Sequence, residues 1–122
     1  MSARILVIDD LEANRRLFEA KLGAEYYDVL TARRGEEGVQ LARRERPDLI
    51  LLDVMMPGGI DGYEACRRLK THEETRHIPV VIITTLDDRD NKVRALKAGA
   101  EEFLTKPIDD VHLLARVKNL LS

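Results

Sequence analysis

The chain of 122 residues contains one cysteine, Cys66, and no tryptophan. A lone cysteine cannot form an internal disulfide, which argues against a small secreted fold that depends on disulfides. No apolar run in the sequence approaches the length of a membrane span. Residues 1–4 pass directly into a strand-like run, so we expect no signal peptide. These features predict a cytoplasmic protein that has no membrane segment.

Neither sign of charge dominates the sequence. Charged residues make up 34% of the chain, but the formal net charge is only -2. Because nucleic-acid-binding proteins usually carry a marked basic excess, we expect no nucleic-acid partner. A hydrophobic fraction of 44% is sufficient for a core. We therefore predict one domain over residues 1–122, which is either a whole protein or one domain of a longer protein.

Four short apolar runs are each followed by chemically active side chains. Residues 49–52 lie between turn-forming residues and end in Asp53, a pattern typical of a strand buried on both faces. The other runs are residues 5–8, which end in Asp9 and Asp10, residues 80–83, which end in Thr84, and residues 103–105, which end in Lys106. Ligand chemistry in open parallel sheets collects at the carboxyl ends of the strands. The four runs therefore predict a site at one sheet edge.

Segments with helical periodicity separate these runs. The predicted helices cover residues 12–22, 35–45, 62–70, 90–98 and 109–121, and a less apolar second strand covers residues 27–32. The buried face of the first helix is expected to contain Leu17, Phe18 and Leu22, and that of the last helix Val111, Leu114, Val117, Leu120 and Leu121. The alternation predicts an α/β fold with a five-stranded parallel sheet. A flavodoxin-like strand order 2-1-3-4-5 would bring Asp9, Asp10 and Asp53 together.

Three carboxylates at one edge repel one another, so either one stays protonated or a cation neutralises them. Ligation by oxygen atoms alone suits a hard divalent cation, and Mg²⁺ fits an open edge. Lys106 adds a positive charge and Thr84 adds a hydroxyl donor. Together these groups predict a site for a dianionic phosphoryl group, with Asp53 as the candidate attacking carboxylate.

The chain resembles the receiver domain of two-component response regulators over essentially its whole length. The residues that carry the resemblance are Asp9, Asp10, Asp53, Thr84, Lys106 and Pro107, with the segments 53–57 and 61–64. The resemblance implies the flavodoxin-like receiver fold with five strands and five helices. It also implies that Asp53 accepts a phosphoryl group from a partner histidine kinase or phosphotransfer protein. The chain would then be a signalling domain and not an enzyme with an external substrate.

The same resemblance implies a set of metal ligands. Asp10, Asp53 and the main-chain carbonyl of Met55 are expected to bind Mg²⁺, and Asp9 is expected to support the metal through water.

The resemblance also implies a switch. Thr84 and Phe103 are expected to move when the phosphoryl group arrives, and Lys106 is expected to hold its oxygens. Without the resemblance, Phe103 would be interpreted as an ordinary core aromatic. The peptide bond between Lys106 and Pro107 is expected to be cis.

One loop departs from the family pattern. Between Pro57 and Asp61 the chain has one residue more than is common, which leaves the position of Asp61 open. Met55 and Leu86 are implied neighbours of the water that would release phosphate, and both are apolar. We therefore expect slow autodephosphorylation.

Shorter segments resemble the first receiver of PleD-type diguanylate cyclases. They are residues 2–7, 12–14, 76–81 and 105–111. The 122 residues contain no cyclase domain, so a diguanylate cyclase would be a downstream output domain or a partner. We also expect a phosphorylation-dependent homodimer through the fourth helix, the fifth strand and the fifth helix.

Two other classes of protein have similar residues at the ends of their strands or a similar fold. Hydrolases of the haloacid-dehalogenase type also use a strand-end aspartate, but they need an acid two residues later, where this chain has Met55. Flavodoxin-like flavin domains must hold a phosphate in the loop after the first strand. In this chain the acidic pair Asp9 and Asp10 would repel that phosphate.

Overall fold

The computed structural model describes residues 2–85 and 89–122. Within these residues, five strands alternate with five helices. Their bounds are β1 Arg4–Ile8, α1 Glu12–Gly23, β2 Asp28–Ala32, α2 Gly35–Glu45, β3 Leu49–Asp53, α3 Gly62–Thr71, β4 Val80–Thr84, α4 Arg89–Lys97, β5 Glu102–Thr105 and α5 Asp110–Leu121. None of the described helices has the length and hydrophobicity that crossing a membrane requires. The predicted elements are confirmed to within one or two residues at each end.

The five strands form one parallel sheet in the order β2-β1-β3-β4-β5, which confirms the predicted topology. The central strand β3 is buried at all five positions. Its side chains alternate between two cores, with Ile50 and Leu52 on one face and Leu49 and Leu51 on the other. This burial on both faces explains why β3 is a continuous apolar run.

Helices cover both faces of the sheet. Val39 of α2 and Cys66 of α3 lie in the core of one face, and Cys66 is fully buried there. Phe18 of α1 and Val117 of α5 lie in the core of the opposite face. The parallel strand ends therefore meet at one open edge between these two helical layers.

Two predicted helix faces are each wrong at one residue, Leu17 in α1 and Val111 in α5, while Phe18, Leu22 and Val117 of those faces are buried. Leu17 is 52% exposed, whereas Phe18 and Leu22, which are four residues apart, are buried. In α5, Val111 is 76% exposed and Leu113 is fully buried. Because each residue turns an α-helix by about 100°, an offset of one or two residues moves a side chain from core to solvent.

The connections at the open edge have special backbone geometry. The Lys106–Pro107 peptide bond is cis, as expected. A Cβ atom at Gly62 would lie 2.6 Å from the carbonyl oxygen of Asp53, so only glycine lets α3 begin against the end of β3. Because of this close approach, the β3–α3 loop begins and ends close together, beside the acidic residues.

Candidate functional site

The acidic residues meet where β1 and β3 end. Asp53 is the last residue of β3, and the pairing of Ile8 with Leu52 brings Asp9 alongside it. Asp9 and Asp53 are only 1% and 5% exposed, and Asp10 is partly buried. One carboxylate oxygen from each of the three lies within 4.8 Å of the others. The strand order thus produces the predicted convergence.

Hydrogen bonds orient two of these carboxylates. The Leu11 N–H donates to Asp9 Oδ1 at 3.0 Å, and the Met55 N–H donates to Asp53 Oδ1 at 3.2 Å. Asp9 Oδ2 is buried and accepts no hydrogen bond from the described residues. A buried carboxylate oxygen without a donor is costly, and a cation would satisfy it. The donor set therefore fits a hard divalent cation.

Lys106 supplies the opposing charge. Its Nζ lies 3.7 Å from Asp53 Oδ2 and 3.8 Å from Asp9 Oδ2. Its main-chain N–H donates to the carbonyl oxygen of Thr84 at 2.7 Å, which ties the end of β5 to the end of β4. One lysine faces three carboxylates, so the site has an excess of negative charge when all three are ionised.

This environment changes the acidity of Asp53. Burial and the neighbouring charge of Asp9 raise the pKa of Asp53 from 3.8 to about 6. Lys106 and the Met55 N–H act in the opposite direction but do not cancel the increase. Any cation that binds between the carboxylates would favour the ionised form of Asp53, which is the nucleophilic form.

The predicted switch residues lie on β4, which pairs with β3, and on β5, the edge strand beyond it. Thr84 is the last residue of β4 and is fully buried, whereas Phe103 of β5 is partly buried and packs against the core. Met55, beside the acidic residues, is 52% exposed. Leu86, which the sequence places near the path of a hydrolytic water, lies outside the described residues.

Asp61 is not part of the acidic cluster. Its Oδ1 accepts the Glu64 N–H at 2.8 Å, which makes it the N-cap of α3. Its Oδ2 lies 3.7 Å from the guanidinium of Arg94 on α4. In this longer loop the Asp61 carboxylate therefore caps α3 and contacts Arg94.

The sequence analysis missed several groups near the site. Arg15 of α1 donates to the carbonyl oxygen of Asp9 at 2.8 Å. The Tyr63 hydroxyl donates to Asn91 Oδ1 at 2.8 Å, and Arg94 stacks 4.2 Å from the Tyr63 ring centre. Helical side chains tilt toward the helix N-terminus, and this rule could have indicated that Arg15 reaches back toward the end of β1.

The comparisons with known proteins place the chain in one family. The family model described as "Response regulator receiver domain" matches residues 5–118. The chain is 62% identical to the response regulator PleD of Caulobacter vibrioides over 98% of its own length. It is 42% identical to the protein PilH of Pseudomonas aeruginosa, and that match covers 98% of each chain.

A solved structure shares the fold. It is the receiver domain of the sensor histidine kinase PA1611 from Pseudomonas aeruginosa, with a magnesium ion coordinated in the active-site cleft. The TM-score is 0.91 at 29% identity, with 99% of this chain and 98% of that chain covered.

Coverage differs between the curated relatives, because the chain spans 26% of PleD but 98% of PilH. The family match favours the receiver interpretation over the hydrolase and flavin-binding alternatives. It covers nearly all of the chain and includes every residue of the acidic edge. The chain belongs to the receiver domains of two-component response regulators.

Proposed function

We propose that Asp53 is the phosphoryl acceptor of this receiver domain and that the donor is a histidine kinase or a phosphotransfer protein. One observation carries the assignment. Asp53 lies at the end of the central strand, clustered with the carboxylates of Asp9 and Asp10, and the Lys106 ammonium lies 3.7 Å from its Oδ2. This is the arrangement needed to hold a nucleophilic carboxylate and a phosphoryl dianion together.

In the proposed step, an Asp53 carboxylate oxygen forms a bond to phosphorus. The bond between phosphorus and the donor's imidazole nitrogen breaks, and its electron pair stays on that nitrogen. Lys106 neutralises part of the charge on the transferred oxygens, and the Thr84 hydroxyl donates a hydrogen bond to one of them. Most of the protein's contribution is positioning and electrostatic stabilisation, as is usual for phosphoryl transfer.

We further propose that the site takes Mg²⁺. Asp9, Asp10, Asp53 and the main-chain carbonyl of Met55 would hold the ion, with Asp9 acting through water. Two observations support this choice. Asp9 Oδ2 accepts no hydrogen bond from the described residues, and all the side-chain atoms that could bind the ion are carboxylate oxygens. When bound, the ion supplies positive charge to the carboxylates and to the phosphoryl oxygens.

Residues 1–122 are proposed to act as one receiver domain in the cytoplasm. In this proposal, Thr84 and Phe103 couple phosphorylation to the surface formed by α4, β5 and α5. That surface would pair two copies of the chain or contact an output domain. The segments that resemble PleD-type regulators favour a diguanylate cyclase as the output. Because the net charge is -2, we propose that this domain itself does not bind nucleic acid.

Intact-mass measurement after incubation with acetyl phosphate and Mg²⁺ tests the assignment. The wild-type chain should gain one phosphoryl group, and Asp53→Asn should gain none. Asp10→Ala should remain folded and lose most of the modification, because it relieves repulsion but removes a proposed ligand. Equal modification of Asp53→Asn and wild type would refute the assignment.

A further inference from the structure

The β3–α3 loop is tied to the beginning of α2 by two contacts. Glu36 Oε2 accepts the main-chain N–H of Ile60 at 3.2 Å. The Ile60 side chain fills the space over Gly35, where an added Cβ would lie 2.7 Å from Ile60 Cγ1. One polar and one apolar contact therefore hold the outer part of the loop against the neighbouring helix.

The glycines of the loop match this arrangement. A Cβ atom at Gly59 would lie 2.8 Å from Glu36 Oε1, so the carboxylate rests against a residue that has no side chain. Gly58 has a φ of +85°, a backbone conformation that glycine adopts readily. Gly59 thus lets Glu36 approach the loop, and Gly58 lets the loop turn just before it.

The inner part of the loop contacts the acidic site. Met55 donates its N–H to Asp53 Oδ1 at 3.2 Å, and its carbonyl is the proposed main-chain metal ligand. The N–H groups of Met56 and Gly62 both donate to the carbonyl oxygen of Val54, at 3.1 and 3.3 Å. These bonds fix the loop where it leaves and rejoins the fold, and the contact with Glu36 fixes it between those points.

Glu36 is exposed, yet its carboxylate has defined partners. Hydrogen bonds from its own main-chain N–H and from that of Ile60 hold the pKa of Glu36 below its usual value. The group is therefore ionised at neutral pH, and its bond to the loop is charge-assisted.

We propose that Glu36 is a positioning residue for the phosphorylation site: through Ile60 it holds the β3–α3 loop so that the main chain of Met55 stays aligned with Asp53. The proposal rests on the function proposed above, because the Met55 carbonyl matters only if the site takes Mg²⁺. Glu36 itself touches neither the acidic carboxylates nor Lys106 in any described hydrogen bond or ion pair.

The test is a Mg²⁺ titration followed by the amide NMR resonances of residues 53–55 in the intact chain. Glu36→Ala should raise the apparent Mg²⁺ dissociation constant about three- to tenfold, the effect expected for one lost hydrogen bond. Glu36→Gln keeps an oxygen acceptor and should recover most of the affinity. Glu37→Ala is the matched control, because Glu37 Oε1 instead accepts the Arg33 N–H at 2.6 Å.

Hydrogen exchange of the Ile60 amide provides a second readout. It should accelerate in Glu36→Ala and stay unchanged in Glu37→Ala, at equal global stability. Unchanged Mg²⁺ affinity in Glu36→Ala, or an Ile60 amide that exchanges as in wild type, would overturn the proposal. If the wild-type chain binds Mg²⁺ but gains no phosphoryl group, the proposed function fails, and the titration still decides the role of Glu36.

Discussion

Asp53 is an acid held where its ionised form is disfavoured. Its pKa is about 6 in the folded chain, compared with 3.8 for the free group. Between these values the folded state binds a proton that the unfolded state has lost, so the free energy of unfolding falls as pH rises. The full cost of the buried charge is present above about pH 6 and absent below 3.8.

Asp53→Asn should therefore stabilise the chain at high pH and change little at low pH. Without divalent cations we expect a gain of about 1–3 kcal/mol at pH 8, which follows from the size of the pKa increase. Denaturant unfolding at pH 8 and near pH 4 measures the difference. A stability gain that is equal at both pH values would contradict this account of Asp53.

The apolar side chain of Met55 leads to a second prediction, which concerns how long the phosphorylated state lasts. An apolar side chain cannot orient the attacking water, and positioned acid–base groups typically contribute about 10²–10⁴-fold. Phosphate release should be slow in the wild-type chain and faster in Met55→Asn and Leu86→Asn. Asp61→Ala should leave the release rate unchanged, because Asp61 already caps α3.

Phosphate release from the purified phosphoprotein measures all four rates under one condition. Unchanged release in both asparagine variants, with marked slowing in Asp61→Ala, would mean that the longer loop controls the water.

The sequence indicated the acidic edge because each acidic residue directly follows an apolar strand. Asp9, Asp10 and Asp53 could be brought together by strand order alone. The bond from Glu36 to Ile60 could not be predicted, because it depends on the path of an irregular loop. Arg15 was missed because its partner is a main-chain carbonyl, so only the tilt of helical side chains toward the helix N-terminus could have indicated it.

At the scale of elements, Lys70 joins α3 to the starts of β4 and β5, opposite the acidic edge. Its Nζ donates to the carbonyl oxygen of Ile78 at 2.7 Å and to Glu101 Oε2 at 2.8 Å. Glu101 Oε1 in turn accepts the Val80 N–H at 2.8 Å. The Lys70 side chain is only 13% exposed, whereas that of Glu101 is 39% exposed, so the bond to the Ile78 carbonyl is the partly buried one.

Lys70→Met should lower the free energy of unfolding by about 1–3 kcal/mol, because it leaves the partly buried carbonyl of Ile78 without this donor. The control is Arg67→Met on the same helix, whose ion pair with Glu64 is exposed and should contribute less than about 1 kcal/mol. Denaturant unfolding compares the two variants. Equal losses would show that Lys70 is an ordinary surface residue.

Elements differ in how well sequence patterns predicted them. The strands were located closely because β3 and β4 are buried throughout and contain only apolar residues before the final polar one. The orientations of α1 and α5 were harder to predict, because both contain apolar residues beyond those facing the sheet. Leu17 and Val111 are apolar yet exposed, and periodicity alone does not separate them from Phe18 and Leu113.

At the scale of the whole molecule, the surface of α4, β5 and α5 is the proposed contact between two copies of the chain. Leu96 of α4 is 70% exposed there, and Arg116 of α5 pairs with Glu102 of β5 at 3.3 Å. If phosphorylation changes the free energy of association through this surface by about one or two kcal/mol, the oligomeric state shifts measurably.

Sedimentation with and without beryllium fluoride, a phosphoryl mimic, should show a larger species only when the mimic and Mg²⁺ are present. Leu96→Glu should remove that species, whereas Tyr26→Ser should not, because Tyr26 is also an exposed apolar residue but lies between α1 and β2. A monomer in both states would exclude the dimer for these 122 residues.

The identity of the phosphorylated residue tests the central claim most directly. Borohydride reduces an aspartyl phosphate to homoserine, which peptide mass spectrometry can locate in the chain. After treatment with acetyl phosphate and Mg²⁺, homoserine should occur at position 53 and at no other aspartate. Homoserine at Asp9, Asp10 or Asp61, or its absence from a chain that has gained a phosphoryl group, would contradict the assignment of Asp53.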